Sequence, residues 1–475
     1  MTMKKTKIIA TIGPSSRSPE MLERLIEAGM NVCRLNFSHG THKEHASVIK
    51  DIRRVAKKLG EPIAILQDLC GPKIRTGKMG AGEIILKEGQ RFTLTSRDVP
   101  GDAKEVGLTY PDLPHNVRNG DIILLADGAM KLKVESSSDT DVNCTVVVGG
   151  PLSSGKGINL PARSINAPIL SEKDLSDLQF GLKNNVDFVA LSFVRTAHDV
   201  RTVKKIIKDA GENTPLISKI EKFEAIDNID EIILESDGIM VARGDLGVEI
   251  PIELVPRVQK MLIRKTNEAA KPVITATQML RSMVDNPMPT RAEVTDVANA
   301  IYDGTDGIML SEETAMGKYP VGAVEVMSHV AEDIETHFDY EGWTTKFEDS
   351  KKMSIKGAIA HSTVKMAEDL EAAAILTCTK SGGTTREVAR YRPRQPVLVM
   401  TPVEVTARRL ALTFGTIPIV IPEVETAEDL EKHSIVQALQ NGYVKPGQSV
   451  VLTAGIPFGH EGTTNMIKVT TAEWS

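Results

Sequence analysis

Short apolar runs rich in β-branched residues alternate with longer stretches of helical period from Lys7 to Leu310. The runs Lys7–Ile12, Asn31–Phe37, Ile63–Leu69, Asp187–Phe193, Pro215–Glu221, Gly238–Ala242, Pro272–Thr277 and Gly307–Leu310 predict strands. Between them, Pro19–Ala28, His42–Leu59, Glu172–Asn184, Val200–Ala210, Leu254–Ala269 and Arg291–Tyr302 predict amphipathic helices. Ser18-Pro19-Glu20 and Ser171-Glu172 supply a capping hydroxyl followed by early acids, which suits a helix N-terminus. Eight strand–helix units predict an α/β chain built on a closed (β/α)8 TIM barrel. An open doubly wound sheet is the alternative.

The third unit is interrupted. Its strand ends at Asp68, but no helix follows until Ser171. The intervening residues are Gly-rich and carry short alternating runs at Glu83–Leu86, Arg91–Thr95, Asp121–Leu125 and Asp141–Val147. They predict an antiparallel, β-barrel-like domain inserted in a strand-to-helix loop. Such loops lie on the catalytic face of a barrel, so the insert is placed to act as a lid, with hinges at Gly71-Pro72 and Pro161–Pro168. From Lys351 a second α/β region follows, with strands at Ala374–Thr377, Pro396–Met400, Ile417–Ile421, Ser449–Thr453 and Ile467–Thr471 and a helix at Ile355–Asp369. The acidic stretch Glu341–Asp349 reads as a connector. The expected domains are the barrel at 1–70 and 169–343, the lid at 71–168 and a C-terminal α/β domain at 344–475.

Composition narrows the function classes. A chain of 475 residues exceeds one ordinary core, in keeping with several domains. With 41% hydrophobic and 25% charged residues it has the balance of a soluble globular protein. The net charge of −6 gives no bulk attraction to nucleic acid or to an anionic membrane, so any anion must be met by local cations. Aromatic residues, at 4%, offer few stacking platforms for single strands. Cys33, Cys70, Cys144 and Cys378 lack metal-ligand spacing and read as free thiols of a reducing compartment. Met1–Lys7 leads into the apolar Ile8–Ile12 without a signal-peptide core, and no apolar run reaches membrane-spanning length. The cytoplasm is the expected location.

The candidate chemistry collects at strand C-termini. In Ser218-Lys-Ile-Glu221 the period of two puts Lys219 and Glu221 on one face. Asp245 ends the next apolar run, after Arg243 and Gly244. Two carboxylates on adjacent strand ends can hold a hard divalent ion, and the lysine can meet an anion that shares it. That combination suits phosphoryl transfer, where charge neutralisation dominates. A salt bridge at the rim of a sheet is the plainer alternative. Arg34, Asn36 and Ser38 share a face at the end of the second strand, and Asp68 ends the third. Thr277 ends the seventh and offers a hydroxyl, although buried threonines commonly bond to backbone. Gly71-Pro-Lys-Ile-Arg-Thr76 carries two cations into the insert, and Lys156 lies where the chain returns. In the last third, Thr379-Lys-Ser-Gly-Gly-Thr-Thr385 sets hydroxyls and glycines before a helix, a phosphate cradle or a plain cap. Pro457–Asn465 is placed to close over it.

These segments together resemble the pyruvate kinase family. The matching stretches are Thr11-Ile-Gly-Pro14, Arg34–Gly40, Gly71–Thr76, Ser218–Glu221, Gly238–Glu249, Ala276–Leu280 and Pro289–Glu293. The resemblance implies phosphoryl transfer from phosphoenolpyruvate to ADP, giving pyruvate and ATP. It assigns Mg²⁺ (or Mn²⁺) to Glu221 and Asp245, the substrate carboxylate to Gly244, Asp245 and Thr277, and the phosphate to Arg34 and Lys219. It assigns the nucleotide to Asn36, His39, Arg75 and Lys156, and an effector phosphate to Thr379, Lys380, Ser381, Gly382, Gly383, Thr384 and Thr385. It further implies a homotetramer controlled by a phosphorylated allosteric effector. Members that need K⁺ carry Thr-x-Gly-Pro-Glu after the third-strand aspartate, where this chain has Leu69-Cys-Gly-Pro-Lys73. The chain therefore looks like the subset that works without K⁺, with Lys73 supplying the charge beside Asn36, Ser38, Asp68 and Leu69. Mg²⁺-dependent carbon–carbon lyases on related barrels are the competing class. They need neither the lid nor Arg75 and Lys156. A non-catalytic effector-binding protein is a third class, and Lys219, Glu221 and Asp245 argue against it.

Overall fold

A computed structural model describes residues 4–80, 82–161, 168–346, 353–456 and 464–474. Eight parallel strands close into a barrel. In chain order they are Lys7–Thr11, Met30–Asn36, Ala64–Asp68, Phe188–Leu191, Leu216–Ile220, Gly238–Ala242, Val273–Ala276 and Gly307–Leu310. Each pairs with its sequence neighbours, and the first closes on the eighth.

The alternation within each strand decides what reaches the barrel mouth. Val32, Ala64, Leu66, Ile217, Met240 and Ile274 belong to the apolar cluster inside the barrel. Cys33, Leu35, Leu216 and Ile220 belong instead to the core between strands and surrounding helices. Continuing the inward period of two brings Arg34, Asn36, Asp68 and Lys219 to the C-terminal end. The helices form where predicted. Those starting at His42, Glu172 and Arg291 each carry a capping box, with Thr41, Ser171 and Thr290 as caps.

The insert differs in detail from its expectation. Its six-stranded sheet runs Ile158–Asn159, Ile122–Leu125, Met130–Ser137, Asp141–Val148, Arg91–Thr95, Glu105–Gly107, and it stays open rather than closing as a barrel. The pair Arg91–Thr95 and Glu105–Gly107 is parallel, not antiparallel. A separate ribbon pairs Ile84–Leu86 with Gly150–Leu152. The insert has its own apolar core around Phe92, Leu94, Leu132 and Val146. At its entry, Gly71 has a φ of 70°, and a Cβ there would lie 2.8 Å from the Phe193 ring. That close approach and left-handed backbone call for glycine. Of the other expected hinge, residues 162–167 lie outside the described residues.

The C-terminal region is a five-stranded sheet in the order Thr416–Val420, Val397–Thr401, Ala374–Cys378, Ser449–Gly455, Thr464–Thr471, with only the last pair antiparallel. Ala411 and Leu412 from this region join the apolar cluster inside the barrel and plug its floor. Arg392 is buried and donates to Asp306 (2.9 Å), Asn267 (2.8 Å) and Gly304 O (2.6 Å), tying the two regions together. Residues 347–352 of the neighbouring connector lie outside the described set. Among the described residues no helix is long and apolar enough to cross a membrane.

Candidate active site

Lys219 stands at the centre of the barrel mouth. Its Nζ donates to Ser192 Oγ (2.6 Å) and lies 3.1 Å from Asp68 Oδ1 and 3.0 Å from Glu221 Oε1. Ser192 Oγ donates onward to Leu69 O at 2.8 Å. Burial alone would lower the Lys219 pKa, but Asp68 and Glu221 outweigh it and raise it, so the ammonium stays charged. Asp68 is 1% exposed and also accepts from Arg34 Nε at 2.7 Å. Burial pushes its carboxyl up, yet Lys219 and Arg34 prevail and hold it below the usual range. Arg34 is braced further by Nη1 donating to Thr11 Oγ1 at 2.9 Å.

Glu221 follows the fifth strand, and Phe193 N donates to its Oε2 at 2.8 Å. Burial raises its pKa, Lys219 opposes this, and the negative charge of Asp245 adds to the rise. Asp245 is not on a strand end as expected. It lies in the first turn of the helix Arg243–Glu249, which starts directly after the sixth strand. Two carboxylates close enough to disfavour each other's charge are a suitable seat for a hard divalent cation. Mg²⁺ commonly takes one or two carboxylates and completes its shell with substrate oxygens and water. Among the described residues no cluster of three or more acidic, histidine or cysteine ligands exists.

Thr277 lies one residue past the seventh strand, with a φ of 72° that is costly for a β-branched residue, about 1–3 kcal/mol. Its hydroxyl accepts from Gly244 N (2.8 Å) and donates to Ala276 O (2.6 Å). Arg243 holds this strained turn. It donates to Thr277 O at 2.7 Å and pairs with Asp296 at 2.7 Å. Strain held by a half-buried cation marks a place where geometry is being enforced.

Lys73 was expected beside Asn36, Ser38 and Asp68. It donates instead to Asp245 Oδ1 (3.1 Å) and to Asp127 Oδ1 (3.3 Å) of the insert. Burial would lower its pKa, but these two carboxylates raise it. Leu69 does not face that pocket either: it is buried in the core outside the strands. Asn36 Oδ1 accepts from Ser38 N at 3.1 Å, and His39 is exposed. Arg75 and Lys156 come together in the insert, where Arg75 bridges Gly157 and Arg75 Nη1 donates to Gly155 O at 3.0 Å.

In the C-terminal region the Thr379–Thr385 turn is only partly open. Thr379 Oγ1 accepts from Gly382 N (2.8 Å), Ser381 is exposed, and Lys380 pairs with Glu423. The hydroxyls of Thr384 and Thr385 are tied to Thr464 (2.6 Å) and Thr377 (2.8 Å). Residues 457–463, expected to cover this turn, lie outside the described residues.

Family models describe both parts of the chain: the pyruvate kinase barrel domain matches residues 3–324, and the pyruvate kinase alpha/beta domain matches 357–470. The chain belongs to the pyruvate kinase family. It is 47% identical to the pyruvate kinase of Clostridium acetobutylicum over 99% of this chain and 100% of that one. It is 46% identical to that of Staphylococcus epidermidis over 98% of this chain and 80% of the relative. A crystal structure of a pyruvate kinase from Cryptosporidium parvum superposes with a TM-score of 0.94 at 39% identity, covering 99% of this chain and 96% of that one. As a pyruvate kinase family member the chain is a phosphotransferase enzyme.

Sequence reasoning missed several residues of this pyruvate kinase mouth. Ser192 directly follows the fourth strand, where its polarity after an apolar run was a readable signal. Arg243 was visible only as part of Arg-Gly-Asp. Asp127 and Asn159 of the insert were not singled out, and Glu249 of the barrel was visible only as the end of the matching stretch Gly238–Glu249. Glu249 accepts from Asn159 (3.1 Å) and from Lys222 (2.8 Å), joining insert to barrel.

Proposed function

We propose that this chain transfers the phosphoryl group of phosphoenolpyruvate to ADP, giving pyruvate and ATP as the final step of glycolysis. The observation that carries the reading is the buried, charged Lys219 held among Asp68, Glu221 and Ser192 at the barrel mouth. There it would neutralise charge on the phosphoryl group in flight, a role that needs a cation already in place. Arg34, oriented by Asp68 and Thr11, would grip the phosphate. Gly244 and the Thr277 turn, fixed by Arg243, would hold the substrate carboxylate. Arg75 and Lys156 would face the nucleotide from the insert, with Asn36 and His39 below.

Pyruvate kinases work with a divalent metal, and Glu221 and Asp245 would hold Mg²⁺ or Mn²⁺ here. Bound there, the metal would supply positive charge to the oxygens of the substrate. Lys73 now occupies one of those carboxylates, so its ammonium must share Asp245 or move toward Asp127 when metal enters. A permanent unit charge at this edge supports activity without K⁺. Control by a phosphorylated metabolite, a homotetramer and a cytoplasmic location complete the reading.

A coupled assay of pyruvate formation tests it. Omitting ADP or the divalent metal should abolish the signal. Replacing K⁺ by tetramethylammonium should leave most of the rate. A tenfold or greater loss restored by K⁺ would remove the K⁺-independent part alone, whereas pyruvate formed without ADP would remove the whole assignment.

A further inference from the structure

Phe193 is a buried aromatic residue that, among the described residues, belongs to none of the apolar core clusters of barrel, insert or C-terminal region. It stands in the turn after the fourth strand, directly behind Ser192, and its φ is 58°. A left-handed backbone is costly for a bulky side chain and persists only where the surroundings enforce it. Two contacts do so here. Phe193 N donates to Glu221 Oε2 at 2.8 Å. The Phe193 ring lies against Gly71, where a Cβ would come within 2.8 Å of it.

Backbone and ring thus answer to two different parts of the molecule. On the backbone side, Glu221 is buried and its oxygens are held separately: Oε1 lies 3.0 Å from Lys219 Nζ, and Oε2 accepts from Phe193. A carboxylate offers about four acceptor positions, so lone pairs remain for a cation once its plane is set. Lys219 can swing on a long side chain, whereas a backbone N–H moves only with its turn. The direction in which Glu221 points therefore follows the Phe193 turn. On the ring side, that turn is fastened to the first connection of the insert. Ser192 Oγ donates to Leu69 O at 2.8 Å, and Gly71 N donates to the buried Asp174 at 3.0 Å. Beside the ring, a cavity of about 40 Å³ is lined by Pro72 and Ile74 of that connection and by Ile158 and Asn159, where the chain returns. Two residues beyond Gly71, Lys73 reaches Asp245, the other carboxylate assigned to the metal.

We propose that Phe193 is a positioning residue for the divalent metal: its ring, clamped by Gly71, holds the turn whose N–H aims Glu221, and so sets the affinity of the metal seat without touching the ion. The inference rests on the assignment of the metal to Glu221 and Asp245. It gives the entry of the insert a hold on both metal carboxylates, on Asp245 through Lys73 and on Glu221 through a single aromatic ring.

Mn²⁺ titration followed by electron paramagnetic resonance, without phosphoenolpyruvate or ADP, tests this apart from turnover. Phe193→Gly keeps the N–H and tolerates the left-handed backbone but removes the ring. It should weaken Mn²⁺ binding by roughly 10–100-fold, the cost of losing an orienting partner. Gly71→Ala, which touches no metal carboxylate, should weaken it too by pushing on the ring. In the double variant the two losses should fall short of adding, because residues in contact are coupled. Thermal unfolding checks folding, and Phe193→Leu takes the place of Phe193→Gly if that variant is unfolded. Losses that add independently, or Mn²⁺ binding unchanged in both single variants, would make Phe193 a structural wedge alone and overturn the proposal. If Glu221→Gln and Asp245→Asn also left Mn²⁺ binding unchanged, the metal assignment would fall and this inference with it. If those two weakened binding while the Phe193 and Gly71 variants did not, only the inference would fall.

Discussion

At the mouth of the barrel Arg34, Lys73, Lys219 and Arg243 each have a carboxylate against them, whereas Arg386 and Arg409, which line a cavity of about 260 Å³ at the floor, have none within ion-pair distance among the described residues. The two ends of the same strands thus solve different problems. At the mouth, Asp68 serves two cations at once and, with Glu221, outweighs the burial that alone would lower the Lys219 pKa. A site handling both a metal and a phosphoryl group needs charges of both signs, fixed before substrate arrives. At the floor the signs are unbalanced, which suits an anion that comes and goes.

The largest effect should come from breaking the mouth. Lys219→Met should lower kcat by roughly 10²–10⁵, the cost of losing a preorganised cation at a phosphoryl transition state. Steady-state kinetics decide this, and a variant keeping more than a tenth of the rate would contradict it. Next, Glu221→Gln and Asp245→Asn should shift metal activation to higher concentration by at least the roughly 10–100-fold that loss of an outer partner costs. Titration of activity against Mg²⁺ reads this directly. Unchanged midpoints in both variants would take the metal elsewhere.

A smaller effect is expected at the floor. Arg386→Gln combined with Arg409→Gln should leave kcat near wild type but abolish any change in phosphoenolpyruvate KM that a sugar phosphate causes. Such couplings are ordinarily about 1–3 kcal/mol. A variant that lost kcat as strongly as Lys219→Met would erase the distinction between the two ends.

Much of the fold was legible because hydrophobic period reports burial directly. Gly238–Ala242, His42–Leu59 and Ile355–Asp369 form with the predicted bounds. The insert was harder. Strands such as Gly150–Leu152 and Ile158–Asn159 are too short to show a period, and the parallel pairing of Glu105–Gly107 depends on a distant partner. At the site, Arg34, Asp68, Lys219 and Glu221 could be read because they continue the inward register of their strands. Lys73 could not be placed from the sequence. It lies beyond the strand in a connection whose course is set by Asp245 of the barrel and Asp127 of the insert. The left-handed backbone at Thr277 was equally hidden, since nothing about a threonine announces a positive φ.

The smallest expected effect separates structure from catalysis at Asp68. Its folded pKa lies below the usual value, so its contribution to stability is complete above the unfolded pKa, near 3.9, and disappears as pH falls through the folded one. Asp68→Asn should lower the unfolding midpoint at neutral pH and flatten its decline in acid. Calorimetry from pH 6 down to pH 3 measures this. An acid limb identical to wild type would show that Arg34 and Lys219 do not stabilise the ionised carboxyl.

The most direct test of the account follows phosphorus itself. ³¹P NMR of the protein with phosphoenolpyruvate, ADP and Mg²⁺ should show the phosphoenolpyruvate resonance replaced by the γ-phosphate of ATP, with wild type far faster than Lys219→Met. Loss of phosphoenolpyruvate into inorganic phosphate, or no transfer by the wild type, would contradict it.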